Sequence, residues 1–314
     1  MKKIIMALMA ITLSIGTAMA DWPTKTVKIL TSLPVGSGPD TTTRKLAEVL
    51  SEKWRVPVVI DNRPGASGGI ALDAYNRESA DGHTIGYFDA GSIVGYPIMY
   101  NKPDSVAAIE PILPFWTVYM TLFASPQIRD YAMLKEEIAK NPTYGSWANG
   151  SAGHLAGASF SSLFDVPINH IVYKDYGTWF VDTSNKAVTY GFGSIGSSKG
   201  MAQLGKLHYL AILAPRRDPA YPSVPTIKEL TGKDLPEPPS WLAFFIHKNV
   251  PANVKKQIEL DMRDAVADPR VKEVLSRLDY TSYGNMSLND FNQQINRQVK
   301  EFNQMSQKFN IIVK

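Results

Sequence analysis

The 314-residue chain contains no cysteine. That excludes disulfides, thiolate metal sites and a lipid-bearing cysteine. Histidine is scarce as well. The five present are scattered, with no H-E-x-x-H and no paired spacing, so no metal site is expected. After the first twenty residues no stretch is apolar enough to span a bilayer. Charge of one sign is also missing: 33 Lys and Arg stand against 29 Asp and Glu. So balanced a chain is no nucleic-acid coat, and no nucleic-acid partner is expected. The 21 prolines and 22 glycines are spread, which gives many short turns and no low-complexity linker.

What is present begins with an export signal. Lys2 and Lys3 precede an apolar run from Ile4 to Ile15, and Ala18-Met19-Ala20 has the small-x-small form of a cleavage site. Cleavage after Ala20 removes 20 of the 314 residues and leaves 294, enough for two domains of ordinary size. A periplasmic location without a lipid anchor is expected. With no disulfides the exported chain must rely on its apolar core, and 44% hydrophobic residues make that feasible.

The pattern after the signal is strand, helix, strand, helix, strand. Val27–Leu33, Val56–Asn62 and His83–Asp89 read as strands, and Leu46, Ala47, Leu50 and Trp54 as a helical stripe. The layout restarts with a strand at Thr117–Ser125, a helix at Tyr131–Lys140, and strands at Thr143, Asn169, Ala187 and Leu207. Ser240–His247 reads as a strand returning to the first half. Helical stripes close the chain: Val254, Ile258, Met262, Ala265 and Val266, then Leu288, Phe291, Ile295, Val299, Phe302, Met305 and Phe309. The expected fold is α/β with parallel sheets, as two lobes joined by two crossing strands. Residues 1–20 are the signal, 21–124 and 240–314 the first lobe, and 125–239 the second. Such a shape holds ligand in the crevice and closes by a hinge.

The turn Gly36-Ser37-Gly38-Pro39-Asp40 lies between a strand and a helix, and three readings compete for it. A dinucleotide fingerprint would have a third glycine where Thr41 stands. A purely structural turn would use the glycines for backbone freedom and Asp40 as a helix cap. An anion cradle would aim free N–H groups of the helix start at a carboxylate. Asn149-Gly150-Ser151-Ala152-Gly153-His154 has the same placement in the second half. A dipole-neutralised His154 could there donate one hydrogen bond, or simply sit satisfied in an N-terminal turn.

Two enzyme patterns nearly fit. Gly196-Ser197-Ser198-Lys199-Gly200 satisfies G-x-S-x-G, with Asp218 and His247 following in hydrolase order, so an exported serine hydrolase is the alternative function. No oxyanion-loop glycine run precedes it. Gly200 to Lys206 would be a phosphate loop if Leu207 were Ser or Thr.

The chain resembles the periplasmic solute-binding proteins of tripartite tricarboxylate transporters over nearly all of its mature length. The markers are WPTKTVKIL, PVGSGPDTTTR, VVIDNRPGASGGI, ADGHTIGYF, NGSAGHLAG, VYKDYG, GKLHYLAI, PSVPTIKEL and ADPRVKEVL. The resemblance implies a two-lobed Venus-flytrap fold, no catalysis, no cofactor, and delivery of a small carboxylate to a two-component integral-membrane permease. A monomer is expected. It also implies ligand anchoring at Gly36, Ser37, Gly38 and Asp40, and at Asn149, Gly150, Ser151, Gly153 and His154. Ser37 departs from a usual glycine and adds a hydroxyl donor. Asn62, Pro64, Gly65 and Gly68 match a third turn, chiefly architectural. Thr189 and Gly193 stand where acidic residues often meet a ligand amine, which disfavours an amino-acid ligand. Trp147, Tyr176, Trp179 and Phe192 add aromatic weight near the cleft, and Ser194 completes the expected set. The rings suggest an aromatic or elongated acid stacked on a wall, unless they are core or hinge packing.

Overall fold

The computed structural model describes residues 22–308 other than Ala148 and Pro239. The expected signal, residues 1–20, and Phe309 lie outside the described residues. The strands are β1 (Val27–Thr31), β2 (Val58–Asn62), β3 (Thr84–Asp89), β4 (Ile109–Thr117), β5 (Met120–Ala124), β6 (Thr143–Ser146), β7 (Asn169–Val172), β8 (Tyr190–Ser194), β9 (His208–Leu213), β10 (Trp241–His247) and β11 (Thr281–Ser282). The helices are α1 (Gly38–Trp54), α2 (Gly69–Tyr75), α3 (Tyr96–Met99), α4 (Tyr131–Lys140), α5 (Ala152–Ser161), α6 (Tyr176–Ser184), α7 (Ile195–Gln203), α8 (Ile227–Thr231), α9 (Ala252–Ala267), α10 (Pro269–Arg277) and α11 (Leu288–Lys308). Among the described residues no helix is long and apolar enough to cross a membrane.

Two sheets form, with strand orders β11-β4-β10-β3-β1-β2 and β7-β6-β8-β5-β9. Each keeps the expected parallel core: β1 pairs parallel with β2 and β3, and β6 with β7 and β8. Each is nonetheless mixed. β10 runs antiparallel to β3 and β4, and β5 antiparallel to β8 and β9. The cause is connectivity: a strand that carries the chain from one sheet into the other enters against the parallel grain.

β4 is a strand that sequence reading misses, because Pro111 and Pro114 interrupt it. The fold accommodates them with two register shifts against β10, between Leu242 and Ala243 and between Phe244 and Phe245. Bulges at those points leave ladder positions that do not need the missing N–H groups.

The chain changes sheets at Val118–Tyr119 and again at Ser240. The two crossings are tied together. Val118 N–H donates to the Ser240 carbonyl at 3.0 Å, and Thr117 Oγ1 to the same oxygen at 3.2 Å. β5, expected at the end of the first lobe, lies inside the second sheet, so we propose lobe limits of 22–118 with 240–308, and 119–239. The halves also touch at their rim. Lys199 Nζ of α7 lies 2.7 Å from Asp279 Oδ2, which also accepts from the Tyr221 hydroxyl at 3.3 Å. A Cβ on Gly196 would fall 2.1 Å from the Leu278 carbonyl, so only glycine permits that approach.

The apolar stripes read from the sequence turn inward. Val254, Ile258, Met262 and Ala265 of α9 are buried, as are Phe291, Phe302 and Met305 of α11, while Val299 is exposed. One cluster of buried side chains runs from Leu30, Tyr75 and Phe88 to Leu122, Phe160 and Phe192, so the cores of the two halves are continuous.

Candidate functional site

The parallel strands of both sheets end on the same gap. The turns after β1 and β3 face those after β6 and β8 across two adjoining cavities of about 420 and 250 Å³. Carboxyl ends of parallel strands are where open α/β sheets place ligands.

Three helices begin at this gap, each capped in the same way. Ser37 caps α1 and accepts from Asp40 N–H at 3.3 Å; Ser151 caps α5 and accepts from His154 N–H at 3.2 Å; Ser194 caps α7 and accepts from Ser197 N–H at 3.2 Å. A serine cap satisfies the third amide of a helix, and the first two keep no partner within it. Those are Ala152 and Gly153 in α5, and Ile195 and Gly196 in α7. In α1 the second residue is Pro39, so only Gly38 offers an N–H. The cavity wall includes Gly38, Ala152, Gly153 and Gly196. Gly153 is required there, since a Cβ would meet the Phe192 carbonyl at 2.3 Å.

Asp40 and His154 do not reach the cavity as anchors. Each turns back on its own loop and holds the amide of the glycine four residues earlier. Gly36 N–H donates to Asp40 Oδ2 at 2.8 Å, and Gly150 N–H to His154 Nδ1 at 2.9 Å. Both glycines take positive φ, 78° and 71°. The Asp40 carboxylate is 1% exposed and also accepts from Arg44 Nε at 2.9 Å and Asn62 Nδ2 at 2.9 Å. Burial raises its pKa, but Arg44, the Gly36 amide and Asn62 outweigh burial and hold the carboxyl below its ordinary value.

His154 lies flat on His170, ring centroids 3.9 Å apart at 9°. Burial, helped by the His170 charge, depresses its pKa to about 3, and burial takes His170 to about 4. With Nδ1 accepting, His154 is a neutral ring with its proton on Nε2. Nδ1 therefore supports the loop, and Nε2–H is the donor the ring retains. The Ser37 hydroxyl is likewise engaged, donating to the Pro34 carbonyl at 2.8 Å.

The remaining expected residues meet at the gap. Ser37, Gly38, Ser151, Gly153, Trp147, Tyr176, Trp179, Phe192 and Ser194 line the larger cavity. Asn149, Gly150 and Ser151 line the smaller one, with Pro64, Gly65 and Gly68 of the third turn opposite them. That turn is thus wall as well as architecture. Gly36, Asp40 and His154 line neither cavity. Sequence reading missed Trp116 and Tyr280, stacked at 3.9 Å and 9°, and Asp89, the last residue of β3. The place of Asp89 at the carboxyl end of a parallel strand is the signal that could have found it.

The hydrolase geometry does not form. Ser198 is fully buried, donates to the Ser194 carbonyl at 3.0 Å and shares a bond with the Tyr209 hydroxyl. His247 sits on β10 and accepts from Asn249 N–H, and Asp218 accepts from Ala220 N–H. Among the described residues no group of three His, Cys, Asp or Glu could hold a metal ion.

The sequence profile described as "Tripartite tricarboxylate transporter family receptor" matches residues 42–311. A UPF0065 protein of Bordetella pertussis is 28% identical over 279 residues, 86% of this chain and 85% of that one. Among solved structures, the periplasmic binding protein BugD is 24% identical with a TM-score of 0.80, covering 93% of this chain and 100% of its own. The Rhodopseudomonas palustris protein Rpa4515, solved with adipate, is 23% identical with a TM-score of 0.82, covering 92% of this chain and 99% of its own. These likenesses carry the two-lobed periplasmic-binding-protein fold.

Proposed function

The chain belongs to the receptor family of tripartite tricarboxylate transporters, and on that premise we propose that it captures a small organic carboxylate between its two sheets and presents it to an integral-membrane permease. The carrying observation is the convergence of three serine-capped helix starts on one gap. Each charge-assisted bond from a free amide contributes about 1.5–3 kcal/mol, and each helix dipole ~0.3–1 kcal/mol. A micromolar complex needs about 8 kcal/mol net. Three or four such bonds offset the cost of immobilising the acid and reach that range. The bound adipate of Rpa4515 supports the same ligand class.

The role is that of a monomeric, exported receptor without chemistry of its own. The ligand stabilises one arrangement of the two halves by bonding to both, and the permease reads that arrangement. Trp147, Tyr176, Trp179 and Phe192 shape the wall that selects among acids.

Thermal unfolding against a panel of carboxylates tests the reading, because a binder of the native state raises the melting temperature. At least one acid is expected to do so and to be recovered unaltered after long incubation. A panel with no stabilising acid, or a ligand returned as hydrolysis products, would sink the proposal.

A further inference from the structure

The two cavities share a carboxyl group and no cation. Asp89 lines both, and among their described lining residues there is no Lys, Arg or His. Its Oδ1 accepts from Ser92 N–H at 2.9 Å and from the Ser92 hydroxyl. Ser92 is in turn fixed by the Ser32 hydroxyl, 3.0 Å away. Oδ2 accepts no hydrogen bond from any other described residue, and it lies on the side where Gly91 carries no side chain. The carboxyl is thus held by Ser92 through one oxygen, and no other described residue's donor engages the second. Burial pushes its pKa up, against the bonds from Ser92 and from the residue's own backbone N–H.

The surroundings suit positive charge. Trp147 and Tyr176 are stacked, centroids 6.0 Å apart at 17°. Asp89, Trp147 and Tyr176 line the same larger cavity, and burial, helped by the Asp89 charge, raises the Tyr176 hydroxyl above its ordinary value. Ring faces carry the negative end of the aromatic quadrupole, and a cation over such faces beside a carboxylate is favoured twice. A second carboxylate in the same place would meet only repulsion.

We propose that the ligand is a carboxylate that also carries a positively charged nitrogen, with Asp89 and the Trp147–Tyr176 faces receiving the nitrogen and the helix starts receiving the carboxylate. This rests on the carboxylate reading above and narrows it. It also reverses the expectation drawn from Thr189 and Gly193. Thr189 is buried with its hydroxyl on the Asn141 carbonyl, and the acid comes instead from the opposite half of the cleft.

The test is calorimetry with acids matched for length: dicarboxylates, plain monocarboxylates, α- and ω-amino acids, and their trimethylammonium analogues. The wild-type chain is expected to bind a cation-bearing member at least tenfold more tightly than its dicarboxylate match. In Asp89→Asn that preference should fall at least tenfold, and the dicarboxylate should gain. Asp89→Ser, with thermal unfolding as the control for folding, should behave alike. Dicarboxylates preferred by the wild-type chain, or a preference unchanged in both variants, would overturn the inference while leaving the carboxylate reading intact. Binding by no acid of any kind would overturn both.

Discussion

The two loops that face each other across the gap solve one problem with opposite chemistry. Each must hold a glycine at positive φ and turn a helix start toward the cavity. The first does it with charge: Asp40, Arg44 and Asn62 form an ionic knot around the Gly36 amide. The second uses a neutral ring, His154 stacked on His170, to receive the Gly150 amide. A residue four positions after the glycine is the support in both. Similar backbone shape therefore does not imply similar response to acid, salt or mutation.

Acid should separate the loops most. Below its ordinary pKa near 6.5 an unfolded histidine binds a proton that folded His154 and His170 refuse until about pH 3 and 4. Unfolded chains then hold more protons, so stability falls as pH falls. At about 1.4 kcal/mol per pH unit per proton, the pair is expected to cost ~4 kcal/mol between pH 7 and 5. Asp40 has a depressed pKa, so its contribution persists over that window and is lost only below its unfolded value of 3.8. Denaturant melts from pH 7 to 3 should show a first loss that is reduced in His154→Gln. An equal loss in that variant would contradict the assignment.

Asp40→Ala should cost about 2 kcal/mol at pH 7, the half-exposed Arg44 discounting the value of a fully buried pair. Carboxylate affinity should fall with it, because the Gly36 turn loosens. A loss below ~0.5 kcal/mol would show that the knot is decorative.

The glycines give the finer comparison. Gly150→Ala strains φ and also puts a Cβ 1.9 Å from Met99 Sδ of α3, a residue of the other half. It should cost about 1–2 kcal/mol and weaken ligand binding, with Met99→Ala restoring part of both. Gly36→Ala strains φ alone, since nothing lies within 4 Å of its Cβ. About 1 kcal/mol is expected there. Equal effects of the two substitutions would remove the contact across the gap from the account.

Periodicity made α1, α4, α9, α11 and most strands legible, but not the helices α3, α8 and α10. α4 falls on its expected limits, and the stripe of α9 is buried as read except at Val266, which is half-buried. The mixed sheets were not legible, because strand direction follows from which sheet a crossing strand joins, and that is a matter of long-range packing. β4 was hidden by its own prolines. In the site, glycine-serine turns marked where helix starts face the gap. They could not show that Asp40 and His154 face inward, since a capping side chain and a ligand anchor share one sequence signature. Asp89 lay outside any motif and emerged only when both sheets were in place.

The pair formed by Lys199 and Asp279 joins the two halves at the rim, with the ends 35% and 17% exposed. Parting the halves must break it, and dissolved ions compete for both partners. The hypothesis that follows is a salt-tuned clasp: cargo should leave faster as ionic strength rises, and Lys199→Met should abolish that dependence in stopped-flow release. Equal salt sensitivity with and without the lysine would retire the idea. A receptor built this way would tighten its grip on cargo as ionic strength falls.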